Sequence, residues 1–149
     1  MAVRDEPDLV EVRGLLREYE GSLAFPLDFQ DFEHELVELP GAYAPPRGAL
    51  LLARGSGCVA LRPLDDTTCE LKRLYVRPQA RGTGLGRRLV EAAVAEARRL
   101  EYTRMRLDTV PGMEAAQALY EQLGFREIAP YAAHPIEGTR FLELDLSER

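Results

Sequence analysis

The stretch Val76-Arg77-Pro78-Gln79-Ala80-Arg81-Gly82-Thr83-Gly84-Leu85-Gly86-Arg87-Arg88-Leu89 constrains this chain more than any other. A strand-like run ends at Val76, glycine then occupies three alternate positions, and a long amphipathic segment begins at once. The loop lets backbone N–H groups crowd round an anion while the helix N-terminus adds partial positive charge. A dinucleotide-binding loop would need Gly or Ala where Arg87 stands, and no Gly-Lys-Ser/Thr follows as in a P-loop. Arg73, Arg77, Arg81, Arg87 and Arg88 are expected to surround the loop. Cations are disfavoured at a helix N-terminus unless an anion arrives, so the cluster points to phosphates; scattered surface arginines are the plainer reading.

Elements on either side follow from periodicity. Leu9, Val12, Leu15, Leu16 and Tyr19 recur at helical spacing, and a second short helix is expected near Gln30 to Leu39, ended by Pro40-Gly41. Tyr43 to Gly48, with Pro45-Pro46, reads as loop. Two short apolar runs, Ala49 to Ala53 and Cys58 to Arg62, flank a glycine-bearing turn and predict a hairpin. Cys69 to Val76 is a third strand, on which strict alternation would put Glu70, Lys72, Leu74 and Val76 on one side and Leu71, Arg73 and Tyr75 on the other. Leu85, Leu89, Val90, Ala93, Val94, Ala97 and Leu100 then form one helical stripe. A strand around Met105 and Leu107, a helix over Met113 to Leu123 closed by Gly124, and strands at Phe125 to Ile128 and Arg140 to Leu146 complete the chain.

With 149 residues, and no repeat or linker, the chain reads as one domain over 1–149. The net charge of −6 argues against a nucleic-acid groove. No apolar run reaches the length of a membrane span, and Met1 to Asp8 is too acidic for a signal peptide, so the cytoplasm is the expected compartment. Cys58, Cys69, His34 and His134 are the only cysteines and histidines and lack metal-ligand spacing, so no metal is expected. Both cysteines read as buried apolar residues, and a cross-strand disulfide is disfavoured in a reducing compartment.

Three linked pieces now resemble one family. Arg81-x-x-Gly84-x-Gly86 is similar to the acyl-CoA loop of the GNAT superfamily of acetyl-CoA-dependent N-acetyltransferases. Cys69 to Pro78 resembles the central strand that feeds that loop, and Ala116-Gln117-Ala118-Leu119-Tyr120-Glu121-Gln122-Leu123-Gly124-Phe125 resembles its later helix and turn. The element order agrees as well. The resemblance implies an α/β (mixed) fold: a twisted, mostly antiparallel sheet of six to seven strands with helices on both faces. It further implies that two parallel strands splay where the cofactor enters.

What the resemblance implies about chemistry is specific. Acetyl-CoA would be the cosubstrate and a primary amine of a small molecule, amino acid or peptide the acceptor, attacking directly in a ternary complex. Backbone N–H groups of Thr83 to Arg87, with Leu85 between, would grip the pyrophosphate, and Gly82, Gly84 and Gly86 would permit close approach. Arg81 would add charge-assisted bonds. Leu74 and Val76 would pair with the pantetheine arm, with Tyr75 and Ala116 beside it. Tyr120 would be the general acid for the leaving thiolate, or else a core tyrosine. Glu70 would be the general base, or else half of a structural ion pair. Met113 occupies a position where many members carry a cofactor-contacting Asn, so that contact is not implied.

The acceptor region offers Asp28, Asp31, Glu33, Glu35, Tyr43, Arg62, Tyr131, His134 and Arg140. The acids suit a cationic amine, whereas Arg62 or Arg140 suits a carboxylate. His34 reads as exposed, and His134 has the better claim to line the pocket. Partners are expected to be the small-molecule amine, with a homodimer allowed by the resemblance and no nucleic acid or membrane. A non-catalytic acyl-CoA-binding module of the same fold is the alternative.

Overall fold

The computed structural model describes residues 2, 3, 5–23, 31–134 and 136–147. Helix α1 (Glu6–Ser22) starts where the Asp5 side chain accepts the Asp8 N–H, and it buries Leu9, Val12, Leu15 and Leu16 on one stripe. Helix α2 (Phe32–Glu38) is shorter than the expected segment, whose first residue, Gln30, lies outside the described residues, as does Asp28. One 3₁₀ turn, Gly41–Tyr43, stands where a loop is expected to begin, with Tyr43 buried.

Six strands follow: β1 (Ala49–Ala53), β2 (Gly57–Pro63), β3 (Thr68–Val76), β4 (Arg104–Thr109), β5 (Arg126–Ile128) and β6 (Arg140–Asp145). Helix α3 (Leu85–Arg99) links β3 to β4, and α4 (Glu114–Gln122) links β4 to β5. The sheet order is β1-β2-β3-β4-β6-β5, antiparallel except for the β3–β4 pair. Two cores cover its faces. Cys69, Leu71, Leu107, Val90 and Ala93 belong to the α3/α4 side, while Val12, Leu16, Phe32, Leu36, Cys58 and Ala60 belong to the α1/α2 side. Both cysteines are buried free thiols.

The strict alternation expected along β3 fails at one residue. Cys58 pairs with Tyr75 but Ala60 pairs with Lys72, so three steps on β3 answer two on β2. Arg73 supplies the extra residue, with φ at +61°. Such a bulge flips the faces of all that follows. Leu74 and Val76 therefore join Cys69 and Leu71 on the α3/α4 side, while Tyr75 faces α1 and α2. The bulge is held because the Arg73 guanidinium, buried at 5% exposure, donates Nε to Glu35 Oε2 at 2.9 Å and Nη2 to Glu35 Oε1 at 2.8 Å. It also stacks on the Phe32 ring. Arg73 thus belongs to the opposite face from the glycine loop and is no part of an arginine cluster there.

Pairing of β3 with β4 stops early. Thr68, Cys69 and Glu70 pair with Arg104, Met105 and Arg106, and nothing beyond does. β4 stays paired with β6 as far as Thr109, so a fork opens between β3 and β4.

Candidate active site

The glycine loop closes the top of the fork. Gly82 and Gly84 have φ of +80° and +82°, so the turn itself requires them. Gly86 differs. It lies inside α3, and a Cβ there would meet only Leu119 and Val76 side chains at 3.8 Å, an ordinary contact. Glycine in a helix costs about 1 kcal/mol relative to alanine, and the fold gives no return for it. The N–H groups of residues 82–87 donate to no acceptor among the described residues, and Gly84 provides no side-chain cap. An uncapped helix start of this kind has the donors and the dipole to receive an anion.

The arginines expected round this cradle are differently employed. Arg81 Nε donates to the Val76 carbonyl at 3.0 Å and Arg88 Nη1 to the Thr83 carbonyl at 3.1 Å, so both brace the turn. Arg77 pairs with Glu18 at 2.9 Å, and Arg87 turns to Glu91 at 3.3 Å. Local arginine charge is therefore largely committed, and the backbone donors are what remain for an anion.

An open cleft of about 640 Å³ runs below the loop. Leu74, Tyr75, Val76, Arg81, Gly82, Gly84, Leu85, Gly86 and Ala116 line it; Thr83 and Arg87 do not. Among the described residues, the β4-side edge of β3 beyond Glu70 has no strand paired with it, and such an edge is the kind on which an extended chain can pair. The Tyr75 ring turns away to pack on Tyr19, its hydroxyl donating to Glu18 at 3.3 Å. Met113 lines the cleft and caps α4 with no side-chain hydrogen bond.

At its inner end this cleft meets a narrower cavity in the fork, sharing Tyr19, Leu23, Leu74, Met113 and Ala116 with it. Lys72, Arg73, Asp108, Thr109, Tyr120 and His134 complete the polar lining. Tyr120 is 7% exposed and its hydroxyl makes no hydrogen bond among the described residues. Burial, then the neighbouring Tyr19 and Asp108, push this hydroxyl above the ordinary tyrosine value, so it reaches neutral pH as a proton donor. Its ring leans on Phe125 at 5.6 Å, fixed by the turn at Gly124.

Glu70 lies elsewhere. It is 3% exposed, does not line the cavity, and both carboxylate oxygens are taken. Arg62 donates Nε to Oε1 at 2.8 Å, and the Tyr131 hydroxyl donates to Oε2 at 2.6 Å. The carboxylate that does line the cavity is Asp108, which makes no hydrogen bond to a described residue. Asp108, Lys72 and Tyr19 are residues of the cavity wall that pattern reading did not assign to it. Each sits on a strand or helix stripe like many others, and only the early end of β3–β4 pairing turns that face into a cavity wall.

Other acceptor-region expectations resolve plainly. Glu35 serves Arg73, Glu33 lies near Arg17 at 3.3 Å, and Tyr43 is core. Arg140 is engaged by Glu121, Glu127 and Gln117, and Arg62 by Glu70, so neither stands open to a substrate carboxylate. Asp31 leads into α2 in the left-handed conformation. His34 is exposed beside Glu38 at 3.4 Å, whereas His134 lines the inner cavity.

Residues 11–125 match the family model described as Acetyltransferase (GNAT) family. An uncharacterized N-acetyltransferase of Schizosaccharomyces pombe is 37% identical, covering 99% of this chain and 94% of that protein. The N-acetylaspartate synthetase of Danio rerio is 32% identical over 70% of this chain and 39% of its own length. Among solved structures, an acetyltransferase from Streptococcus agalactiae superposes with a TM-score of 0.79 at 25% identity, covering 97% of this chain and 96% of that one. A GNAT family acetyltransferase from Elizabethkingia anophelis with acetyl-CoA bound has a TM-score of 0.61 at 21% identity, covering 83% and 94%.

Proposed function

Because this chain belongs to the GNAT family of acetyltransferases, we propose that it moves the acetyl group of acetyl-CoA directly to the primary amine of a small molecule, both bound at once in the fork. It is an acyltransferase by kinship, and relatives named for aspartate and for IAA support a small acceptor. The observation that carries the reading is the row of unsatisfied N–H donors at 82–87, opening onto a cleft continuous with the Tyr120 cavity.

Coenzyme A would place its pyrophosphate on those donors and its pantetheine arm along the free edge of β3. The thioester would then reach the fork, whose lining includes both Tyr120 and Asp108. Asp108 takes a proton from the acceptor ammonium, and the freed lone pair attacks the thioester carbon. As the C–S bond breaks, Tyr120 gives its proton to the departing thiolate and is restored by the second proton leaving nitrogen. The products are amide, free thiol and one proton released to water. A backbone N–H on the β3 edge would serve the oxyanion, a contribution of roughly 10²–10³ in rate. Glu70 acts as a positioning residue: with Arg62 and Tyr131 it ties the loop after β5 to the sheet.

Calorimetric titration with acetyl-CoA, paired with a thiol-release assay over an amine panel, tests this reading. The intact protein should bind saturably and release thiol with some amines. In Gly86→Glu the fold is kept, since the position is roomy and a carboxylate suits a helix N-terminus, but the pyrophosphate is repelled and binding is lost. Unaltered binding by that variant would sink the assignment of the loop. Binding without thiol release from any amine would leave a non-catalytic acyl-CoA holder instead.

A further inference from the structure

The outer cleft and the inner cavity meet at a junction walled by Tyr19, Leu23, Leu74, Met113 and Ala116, the residues that line both. A pantetheine arm reaching in from the glycine loop would end there, and an acceptor in the inner cavity would meet it there. The junction is thus where the thioester carbonyl would lie. Tyr120, Asp108, Lys72, Arg73 and His134 line the inner cavity alone. Among the described residues, Tyr19 therefore brings the only side-chain hydroxyl to the junction itself.

Tyr19 continues the apolar stripe of α1 after Leu9, Val12, Leu15 and Leu16. A leucine would serve packing there, whereas a tyrosine adds a hydroxyl that needs a hydrogen-bond partner once water is excluded. No described residue supplies one. Beyond the helix backbone, the hydrogen bond made by Tyr19 is at its carbonyl, which accepts from Ser22 Oγ at 2.7 Å. The Tyr120 hydroxyl is in the same condition, so two phenols without described partners line one small space.

Neighbours hold the Tyr19 ring in place. It packs on Tyr75 with centroids 5.9 Å apart and planes tilted by 55°. The Tyr75 hydroxyl donates to Glu18 at 3.3 Å, and Arg77 grips the same carboxylate at 2.9 Å and 3.1 Å. A ring braced in this way presents its polar tip in a defined place. Burial raises the Tyr19 phenol above its ordinary value; the charge of Arg73 opposes that rise and Asp108 adds to it. The hydroxyl is therefore protonated at neutral pH and able to donate. Arg73 itself is committed to Glu35 through two hydrogen bonds.

We propose that Tyr19 is a second catalytic tyrosine, donating a hydrogen bond to the thioester carbonyl oxygen as it becomes the oxyanion of the tetrahedral intermediate. This rests on the acetyl-transfer reading above and deepens it. Proton movements are unchanged: Asp108 takes the ammonium proton, nitrogen bonds the carbonyl carbon, and Tyr120 protonates the thiolate as the C–S bond breaks. Tyr19 keeps its own proton throughout. Its hydrogen bond strengthens as negative charge gathers on oxygen and relaxes as the carbonyl re-forms. Together with a backbone N–H of the β3 edge, it gives the oxyanion two donors.

Tyr19→Phe keeps the ring, orphans no described partner and so tests the hydroxyl alone. The kcat for thiol release should fall on the order of 10²-fold, the usual loss for one oxyanion donor, while calorimetric affinity for acetyl-CoA is kept. Isotope-edited infrared spectra of bound, carbonyl-labelled acetyl-CoA, with no acceptor present, supply a readout that a packing role would not move. A hydrogen bond weakens the C=O bond, so the carbonyl band should rise in frequency in Tyr19→Phe. An unchanged kcat, an unmoved band, or a loss confined to acetyl-CoA affinity overturns the role of Tyr19 while leaving acetyl transfer intact. No thiol release by the unaltered protein with any amine, acetyl-CoA being bound, overturns both.

Discussion

At the scale of single residues, Tyr120 and Glu70 show how alike two motif residues look in sequence and how differently they are placed. Tyr120 presents a buried hydroxyl to the cavity with no hydrogen bond among the described residues, whereas Glu70 has a donor on each oxygen. Removing the Tyr120 hydroxyl therefore orphans no described partner, and Tyr120→Phe should fold normally. If the hydroxyl protonates the thiolate, turnover falls on the order of 10²-fold while affinity for acetyl-CoA holds, read by steady-state rates beside calorimetry. Undiminished turnover in that variant would return Tyr120 to the core. The helix motif with its small, apolar and aromatic positions made this residue legible. For Glu70 the sequence left two readings open, base or ion pair, because its bonds to Arg62 and to Tyr131, 61 residues further along the chain, are tertiary contacts.

At the scale of elements, the join between α2 and the β3 bulge carries the largest testable energy. Desolvation would raise the Glu35 carboxyl, but the paired bonds and charge of Arg73 outweigh it, with help from Tyr43 and Lys72, and hold it below the usual 4.5. Glu35→Ala strands a guanidinium that is nearly solvent-free and should cost about 3 kcal/mol in urea unfolding. In the intact protein the same contribution is full above about pH 4.5 and is lost as acid takes the pH down through the lowered folded pKa, so stability should fall with acid over that range. A flat stability profile from pH 6 to pH 3 would show that the pair contributes nothing. The bulge matters beyond stability because it moves Leu74 and Val76 to the face and edge that the cleft uses.

For the whole molecule, the fork is a stretch of sheet whose pairing is left open, and a ligand that fills it binds only the folded state. Acetyl-CoA at about 100 times its dissociation constant should add about 2.7 kcal/mol, raising Tm by roughly 5–10 °C for a domain of this size. Thermal melts of the intact protein and of Gly86→Glu would separate this from a non-specific effect, since the shift should vanish in the variant. Absence of any shift in the intact protein would contradict binding in the fork.

The sequence by itself determined the order of elements, the glycine turn, the two-faced sheet and the family. Each of these is written in local patterns: apolar spacing at two or 3.6, glycine where φ must be positive, and a contiguous motif on one helix. Tertiary structure alone decided which polar side chains face the cavity. Strict alternation misplaced Leu74 and Val76 because one bulged residue, stabilised by a carboxylate from α2, reverses every face after it. Lys72 and Asp108 became cavity walls because β3 and β4 stop pairing after Glu70, a property of two strands whose paired residues lie 36 apart and that neither encodes alone.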